Sequence, residues 1–429
     1  MARRSNLARA RRNFAWNLVG GGAYVAAQWA MLMALAKVGP EAQADADVGR
    51  FALALVVLQP LYQVLYADLR NVQATDARRL HGPALYLLAR AEGVALALLA
   101  SAAVAISWGR PTETTLTLLA LACAKACEAG SDVCYGRFEQ CERMELVARS
   151  QLARGLLGLV AFVGTYAMTV RVALAAFALA VAWGTVLVAH DAPGALRRSD
   201  GDPPAWPRPT LRTAFAMFAR ALPLGVVTGI ASAAINTPSY VLEAQLGTAA
   251  VGRYAAIAYF VSALRMPAFA AGSALAPRLS RLLAAGDLGR ARIWSAGLVA
   301  ACAAPGLVGV AGAALVGPDL LHWIYHPGFT DLADALLVLL AGATIAFAAH
   351  GLRLSLTAAG RYASQLPAVI GLLVTTGAAA WWLVPHHGVL GAALALACGR
   401  LVQFGIYAIM VAGLLWGDGP APHGHPDDG

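Results

Sequence analysis

The chain has 429 residues; 59% are hydrophobic, a further 43 are glycines, and only 13% are charged. A soluble domain carries about 45–50% apolar residues with glycine included, and about 25% charged ones, so a soluble globular fold, a disordered chain and a nucleic-acid-binding domain are excluded. Long apolar runs rather than short alternating segments exclude a β-barrel and leave an all-α polytopic membrane protein, because lipid accepts only backbones that satisfy their own hydrogen bonds.

A spanning helix needs about 20 mostly apolar residues. In chain order twelve segments qualify: 14–37, 50–70, 88–108, 114–136, 147–169, 172–190, 216–240, 251–276, 293–317, 333–353, 364–384 and 388–416. The links at 169–172 and 385–388 are tight turns. The longest loop, 191–213, reads Arg197-Arg-Ser-Asp-Gly-Asp-Pro-Pro-Ala-Trp-Pro-Arg-Pro209, which is linker chemistry. It separates an N-terminal six-helix lobe, 1–190, from a C-terminal one, 214–416. The Gly/Pro/His/Asp-rich tail 417–429 is expected to be disordered.

The net charge of +9 is explained by topology. With the N-terminus in the cytoplasm, the cytoplasmic segments hold 24 of the 32 basic residues and the outer side holds five, Lys37, Arg50, Arg110, Arg171 and Arg253. That asymmetry follows the positive-inside rule and places both termini in the cytoplasm. The start of the chain leads into an apolar run too long for a cleavable signal. Six cysteines suggest neither a disulfide framework nor a zinc module.

An internal repeat supports two equivalent halves. Val48-Gly-Arg-Phe51 opens the second span and Val251-Gly-Arg-Tyr254 opens the eighth, 203 residues later. Each half has an even number of spans, so a pseudo-two-fold axis along the membrane normal is expected, as in transporters built from parallel repeats.

Polar residues gather on single faces of several spans at 100° per residue. Asn13, Asn17, Tyr24 and Gln28 share a face of the first span; Gln59, Tyr62, Gln63, Tyr66 and Arg70 form a stripe on the second; Thr228, Ser232 and Ser239 align on the seventh, beside Asn236. Such residues either join helices to one another or line a wet cavity, and the glutamines and tyrosines of the first two spans suit the cavity.

The fourth span carries Lys125, Glu128, Asp132 and Glu139 within about 60° of one another. A charge at the bilayer centre costs about 2.5–3.5 kcal/mol on insertion scales, so these groups are not expected to face lipid. Two readings stand side by side: a structural Lys125–Glu128 pair, or a hydrated path with a cation for an anionic substrate and a carboxylate for ion coupling. Arg265 in the eighth span and Arg400 in the twelfth are the other mid-span cations. Each pairs with a carboxylate of another span, such as Glu92, Glu128 or Asp132, or offers its planar fork to a phosphate.

Neither a catalytic constellation nor a metal site emerges. The stripe Cys123, Cys127, Cys134, Cys141 lies on one helix, which cannot wrap a tetrahedral ion. His386-His387 falls in a tight turn without partners for general-base work. His322 and His326 flank Trp323 and Tyr325, an interfacial aromatic anchor.

Three stretches carry a resemblance: Val48-Gly-Arg-Phe-Ala-Leu-Ala54 with Gln59-Pro60 and Asp68-Leu-Arg70; Phe138-Glu-Gln-Cys-Glu-Arg-Met-Glu145; and Leu246-Gly-Thr-Ala-Ala-Val-Gly-Arg-Tyr254 continuing to Pro277-Arg-Leu-Ser-Arg281. With the span layout, these resemble the Wzx-type polysaccharide (O-antigen) flippases of the multidrug/oligosaccharidyl-lipid/polysaccharide exporter (MOP) superfamily. The resemblance implies a MATE-like fold of twelve helices, two six-helix lobes around a V-shaped cleft, in the bacterial inner membrane. It implies that a polyprenyl-diphosphate-linked oligosaccharide is moved outward by alternating access, without catalysis or a cofactor, with a proton or sodium ion as the candidate coupling ion. A monomer is expected, with a polysaccharide polymerase and glycosyltransferases as candidate partners besides the bilayer and the lipid-linked sugar. On this reading Lys125, Arg265, Arg400, Gln28, Gln59, Gln63, Tyr66 and Arg70 bind substrate, and Glu128 and Asp132 carry ion coupling. The alternatives are a cation-coupled drug antiporter of the same superfamily and a membrane enzyme of polysaccharide assembly. The enzyme would want a larger outer domain than any loop here provides.

Overall fold

The computed structural model describes residues 2–76, 79–199, 202–325, 327–359, 361 and 365–416; the expected disordered tail 417–429 lies outside them, as does the side chain of Asn17. Among the described residues every regular element is helical. In order they are α1 (Ala2–Val38), α2 (Glu41–Tyr66), α3 (Leu69–Thr75), α4 (Pro83–Ser107), α5 (Thr112–Gln140), α6 (Met144–Thr169), α7 (Val172–Val186), α8 (Ala192–Leu196), α9 (Leu211–Leu246), α10 (Thr248–Ala284), α11 (Leu288–Ile324), α12 (Ala333–Ala358) and α13 (Leu366–Trp416).

Ten stretches among the described residues are long and apolar enough to cross a membrane. Two facts bring this to the expected twelve spans. The 51-residue α13 is broken at Gly388, whose φ of 55° and ψ of −128° are non-helical; an L side chain resists that backbone and glycine does not. The helix α5 is long enough but carries Glu113, Lys125, Glu128, Asp132, Arg137 and Glu139, and these charges depress its hydropathy.

The chain forms two compact units, Met1–Ser232 and Ala233–Gly429. In the first, α1 packs on α6, and α5 packs on α2, α3, α4 and α7. Small residues bring these backbones together, as is usual between membrane helices. Gly20 of α1 faces Ala148 of α6, and Gly155 of α6 faces Ala27 of α1. In the second unit α12 packs on α10, α11 and α13. The repeat recurs as equivalent packing inside each unit: Val48, Gly49 and Phe51 are buried with Arg50 half-exposed, and Val251, Gly252 and Tyr254 are buried with Arg253 half-exposed.

The break between α2 and α3 positions the site described below. Ala67 and Asp68 both adopt left-handed backbone, φ 48° and 51°, which ends α2 and restarts the chain as α3. Neighbouring helices meet this break with glycine. A Cβ on Gly93 of α4 would run into the Leu65 carbonyl, one on Gly225 of α9 into the Val64 carbonyl, and one on Gly136 of α5 into the Arg70 carbonyl. The break is thus held at backbone contact on three sides, and Arg70, the second residue of α3, is delivered to α5.

Several helices run further than expected. α4 begins at Pro83 and α6 at Met144 rather than at 88 and 147. Beyond α7 the chain makes one π-turn, Leu187–Asp191, and continues as α8, so 191–196, expected as loop, is helix. α11 reaches Ile324 through an irregular Val316 two residues before Pro318, where the missing amide loosens the ladder.

Candidate functional site

The charged face of α5 lies within the first unit, and every carboxylate on it is held by cations. Glu128 accepts from Lys125 Nζ at 2.7 Å and from the Tyr24 hydroxyl at 2.8 Å, with Arg154 Nη2 at 3.7 Å. Asp132 accepts from Arg70 Nη1 at 3.2 Å and from Arg90 Nη2 at 3.1 Å. Glu139, two turns on, accepts from the other side of the Arg70 fork through Nε at 3.2 Å and Nη2 at 2.5 Å. Four cations from α3, α4, α5 and α6 therefore surround three carboxylates of one helix.

The lattice has two layers. Arg90 and Arg154 are only 1% and 2% exposed, whereas Lys125, Glu128, Asp132 and Arg70 are 12%, 19%, 23% and 28% exposed. The two buried guanidinium groups rest on aromatic rings: Arg90 lies 4.7 Å from the Tyr66 ring, and Arg154 lies 4.6 Å from the Trp183 ring and 5.0 Å from the Tyr24 ring. Cation–π contact and hydrogen bonds to the Tyr66 carbonyl, 2.8 Å, and to the hydroxyls of Tyr24 and Tyr135, 3.0 and 3.3 Å, replace part of the hydration these groups lose. Behind them Tyr135 and Ser150 share a hydrogen bond of 2.7 Å, Ser150 donates to Asp191 at 2.9 Å, and His190 meets Asp191 at 2.8 Å.

The expected substrate-binding residues fall into three groups. Lys125, Arg70 and Tyr66 belong to the lattice; the Tyr66 hydroxyl donates to the Lys125 carbonyl at 3.4 Å. Gln28, Gln59 and Gln63 are half-buried on α1 and α2 and touch no lattice charge among the described residues. Arg265 and Arg400 belong to the second unit. Of the two readings of Lys125, its pairing with Glu128 is realised. Of the carboxylates considered as partners for Arg265 and Arg400, Glu128 and Asp132 bond the cations of their own unit.

Arg90, Arg137 and Arg154 correct the sequence reading. They are among the 24 basic residues of the cytoplasmic segments, yet all three are at most 2% exposed and ion-paired. The signal was present: Pro83 at the first turn of α4 is a helix start, which places Arg90 two turns inside.

The second unit handles charge otherwise. Arg265 is exposed on α10 and lies 5.9 Å from the Phe269 ring. Phe269 stacks on His350 of α12, centroids 3.9 Å apart and planes at 13°, and His350 bonds Arg353 at 3.0 Å. Arg400 donates to Gln403 at 2.8 Å, with Tyr254 and Tyr407 as its electrostatic neighbours. Among the described residues none of these three arginines has an ion-pair partner.

The linker is docked on the first unit. Asp202, 1% exposed, bonds Arg137 at 2.6 Å and Arg79 at 2.9 Å. Trp206 donates to the Arg79 carbonyl at 3.0 Å and covers Arg137, 5.7 Å from its ring. Burial alone would raise the Asp202 carboxyl, but the Arg137 bond, the Ser199 amide and the charges of Arg137 and Arg79 hold it below its ordinary 3.8.

No protein-family model and no curated protein matches the chain. Its three-dimensional form does resemble solved structures. An inward-facing multidrug resistance MATE family transporter of the MOP superfamily superposes with a TM-score of 0.66 at 14% identity, covering 95% of this chain and 96% of that one. The chain has the fold of the MATE transporters. A MOP superfamily transporter from Pyrococcus furiosus, described as having a binding pocket of reversed polarity, gives 0.65 at 14% identity over 95% and 96%. The lipid II flippase MurJ gives 0.68 at 10% identity over 92% of this chain and 87% of that one. At these identities the likeness establishes this multi-pass helical fold.

Proposed function

We propose that the protein is a flippase of the bacterial inner membrane, moving polyprenyl-diphosphate-linked oligosaccharide from the cytoplasmic to the outer leaflet for surface polysaccharide assembly. The observation that carries this reading is the charge arrangement inside a transporter fold: half-exposed Lys125 and Arg70 in the first unit, and Arg265 and Arg400 without carboxylates in the second. These are cations for a diphosphate, and guanidinium groups bind phosphate oxygens in pairs. The half-buried Gln28, Gln59, Gln63 and Tyr66 supply hydroxyl and amide groups for sugar. Such transport needs no catalytic residue, since rocking of repeats exposes one site to each side in turn. An interior-negative potential favours outward movement of the anionic headgroup by about 2.3 kcal/mol per charge per 100 mV. Glu128 and Asp132 are the groups we assign to proton or sodium coupling. The fold relationship to a lipid II flippase supports a lipid-linked substrate.

The test is reconstitution. Purified protein in vesicles should move a labelled polyprenyl-diphosphate oligosaccharide between leaflets, and joint Lys125→Gln, Arg265→Gln and Arg400→Gln substitution should abolish that movement in protein that still inserts. Wild-type movement by the triple variant would sink the assignment. The second reading, cation-coupled drug antiport, draws on Glu128 and Asp132. It predicts pH- or sodium-driven uptake of cationic drugs that Glu128→Gln or Asp132→Asn abolishes, with no movement of the lipid-linked sugar.

A further inference from the structure

Glu128 and Asp132 are held in the same way one helical turn apart. Each lies against one deeply buried guanidinium, Arg154 at 3.7 Å from Glu128 and Arg90 at 3.1 Å from Asp132, and accepts from a more exposed cation, Lys125 or Arg70. Positions i and i+4 of a helix put side chains about 5–6 Å apart on one face. The result is two anions side by side, each in a pocket of two cations, with the reachable cation on the half-exposed side. One positive charge remains over, because four cations face three carboxylates, Glu139 included.

We propose that Glu128 and Asp132 occupy the positions of a ligand's two phosphates, so that the first unit is a diphosphate site closed by its own carboxylates. This rests on the diphosphate reading of the substrate and adds how that headgroup is admitted. Entry of a diphosphate exchanges one set of anions for another: its phosphates take the Lys125 ammonium and the Arg70 fork, and the carboxylates keep Arg154 and Arg90. The exchange leaves no cation bare at any stage, which matters because an unpaired buried charge is far more costly than a swapped partner. Glu139 bonds the far side of Arg70, and it holds that fork in place while Asp132 is displaced. A single phosphate can engage only one of the two pockets.

The experiment uses the full-length chain in detergent, with inorganic diphosphate as the probe and inorganic phosphate as its comparison. Ligand that binds only the folded state stabilises it by RT ln(1 + [L]/Kd), so the rise of the melting temperature with ligand concentration gives Kd, the half-saturating concentration. Glu128→Gln and Asp132→Asn, singly and together, should lower the half-saturating diphosphate concentration at least tenfold relative to wild type, with a smaller change for phosphate. Glu113→Gln, which opens the remote Arg171–Glu113 pair, should change neither. Lys37 and Lys125 are the only lysines in the chain, so amine labelling read by peptide mass reports on the front cation directly. Saturating diphosphate should protect Lys125 in wild-type protein. Equal half-saturation in wild type and folded carboxylate variants would overturn the proposal, and so would unprotected Lys125, which needs no variant to fold. The flippase reading fails separately: if wild-type vesicles move no lipid-linked oligosaccharide while diphosphate binds as described, that reading falls and the anion site stands.

Discussion

The two units treat the charges on their long helices differently. In the first, Lys125, Arg70, Arg90 and Arg154 are matched against Glu128, Asp132 and Glu139. In the second, Arg265, Arg353 and Arg400 rest on an aromatic ring, a histidine and a glutamine, and none of these three is ion-paired among the described residues. Such an ion-paired lattice ties four helices together and becomes costly when one member is lost. An arginine held by neutral groups keeps most of its field for whatever anion approaches. Loss of charge should therefore show as loss of stability in the first unit and as loss of transport in the second.

The largest effect is expected from Asp132→Ala. It leaves Arg90, 1% exposed, without its carboxylate, and breaking a buried pair in this way costs about 3–5 kcal/mol. Thermal unfolding in detergent should register the drop. Arg400→Gln should stay within about 1 kcal/mol of wild type, because its one hydrogen bond goes to a neutral amide. Comparable melting losses in both variants would erase the distinction between the units.

The converse measurement is transport. Arg265→Gln with Arg400→Gln should reduce movement of the lipid-linked oligosaccharide at least tenfold, which corresponds to about 1.4 kcal/mol of lost interaction, while the melting temperature holds. A double variant that melts early would make these arginines structural, and the comparison would fail from the other side.

The fold was legible in the sequence because apolar length and basic asymmetry are local signals: all twelve spans and the Val-Gly-Arg repeat could be read from them. Five of the seven lattice charges were legible too: Lys125, Glu128, Asp132 and Glu139 interrupt an apolar run on one helical face, and Arg70 ends the polar stripe of the second span. Arg90 and Arg154 were not. They lie near the start of the spans that apolar length marks, 88–108 and 147–169, where an arginine reads as a topology signal, and only the packing of α4 and α6 against α5 shows that they are buried. Nor does any residue pattern announce the left-handed break at Ala67 and Asp68. It exists because Gly93, Gly136 and Gly225 on three other helices admit its backbone, a fact of tertiary contact rather than of local propensity.

That break gives the next test, of how the first unit holds its lattice together. Gly225→Ala places a methyl group against the Val64 carbonyl, and overpacking of this kind costs about 1–3 kcal/mol. Gly164→Ala, on α6 with open space around it, should be neutral or gain up to about 1 kcal/mol from helix propensity. If the two alanines behave alike, close approach at the break is not what aims Arg70 at Asp132.

The smallest effect concerns the linker, where the first unit extends its use of paired charge to a segment that the sequence presents as a tether. Asp202 is held by Arg137 and Arg79, with its carboxyl below the ordinary 3.8. A depressed carboxyl adds stability that is fully present above the ordinary value and is lost as pH falls below it through the depressed one. Docking of residues 202–208 should therefore be constant around neutral pH and weaken only in acid. Asp202→Asn should mimic the acid state at pH 7: the amide oxygen keeps an acceptor for Arg137, so only the charge-assisted part, about 1.5 kcal/mol, is given up, raising local opening roughly tenfold. Hydrogen-exchange protection factors for linker peptides measure both, because they remove the intrinsic pH dependence of exchange. Protection that is already absent in wild type at pH 7 would mean that this segment is a free tether and that paired charge orders only the helices of the first unit.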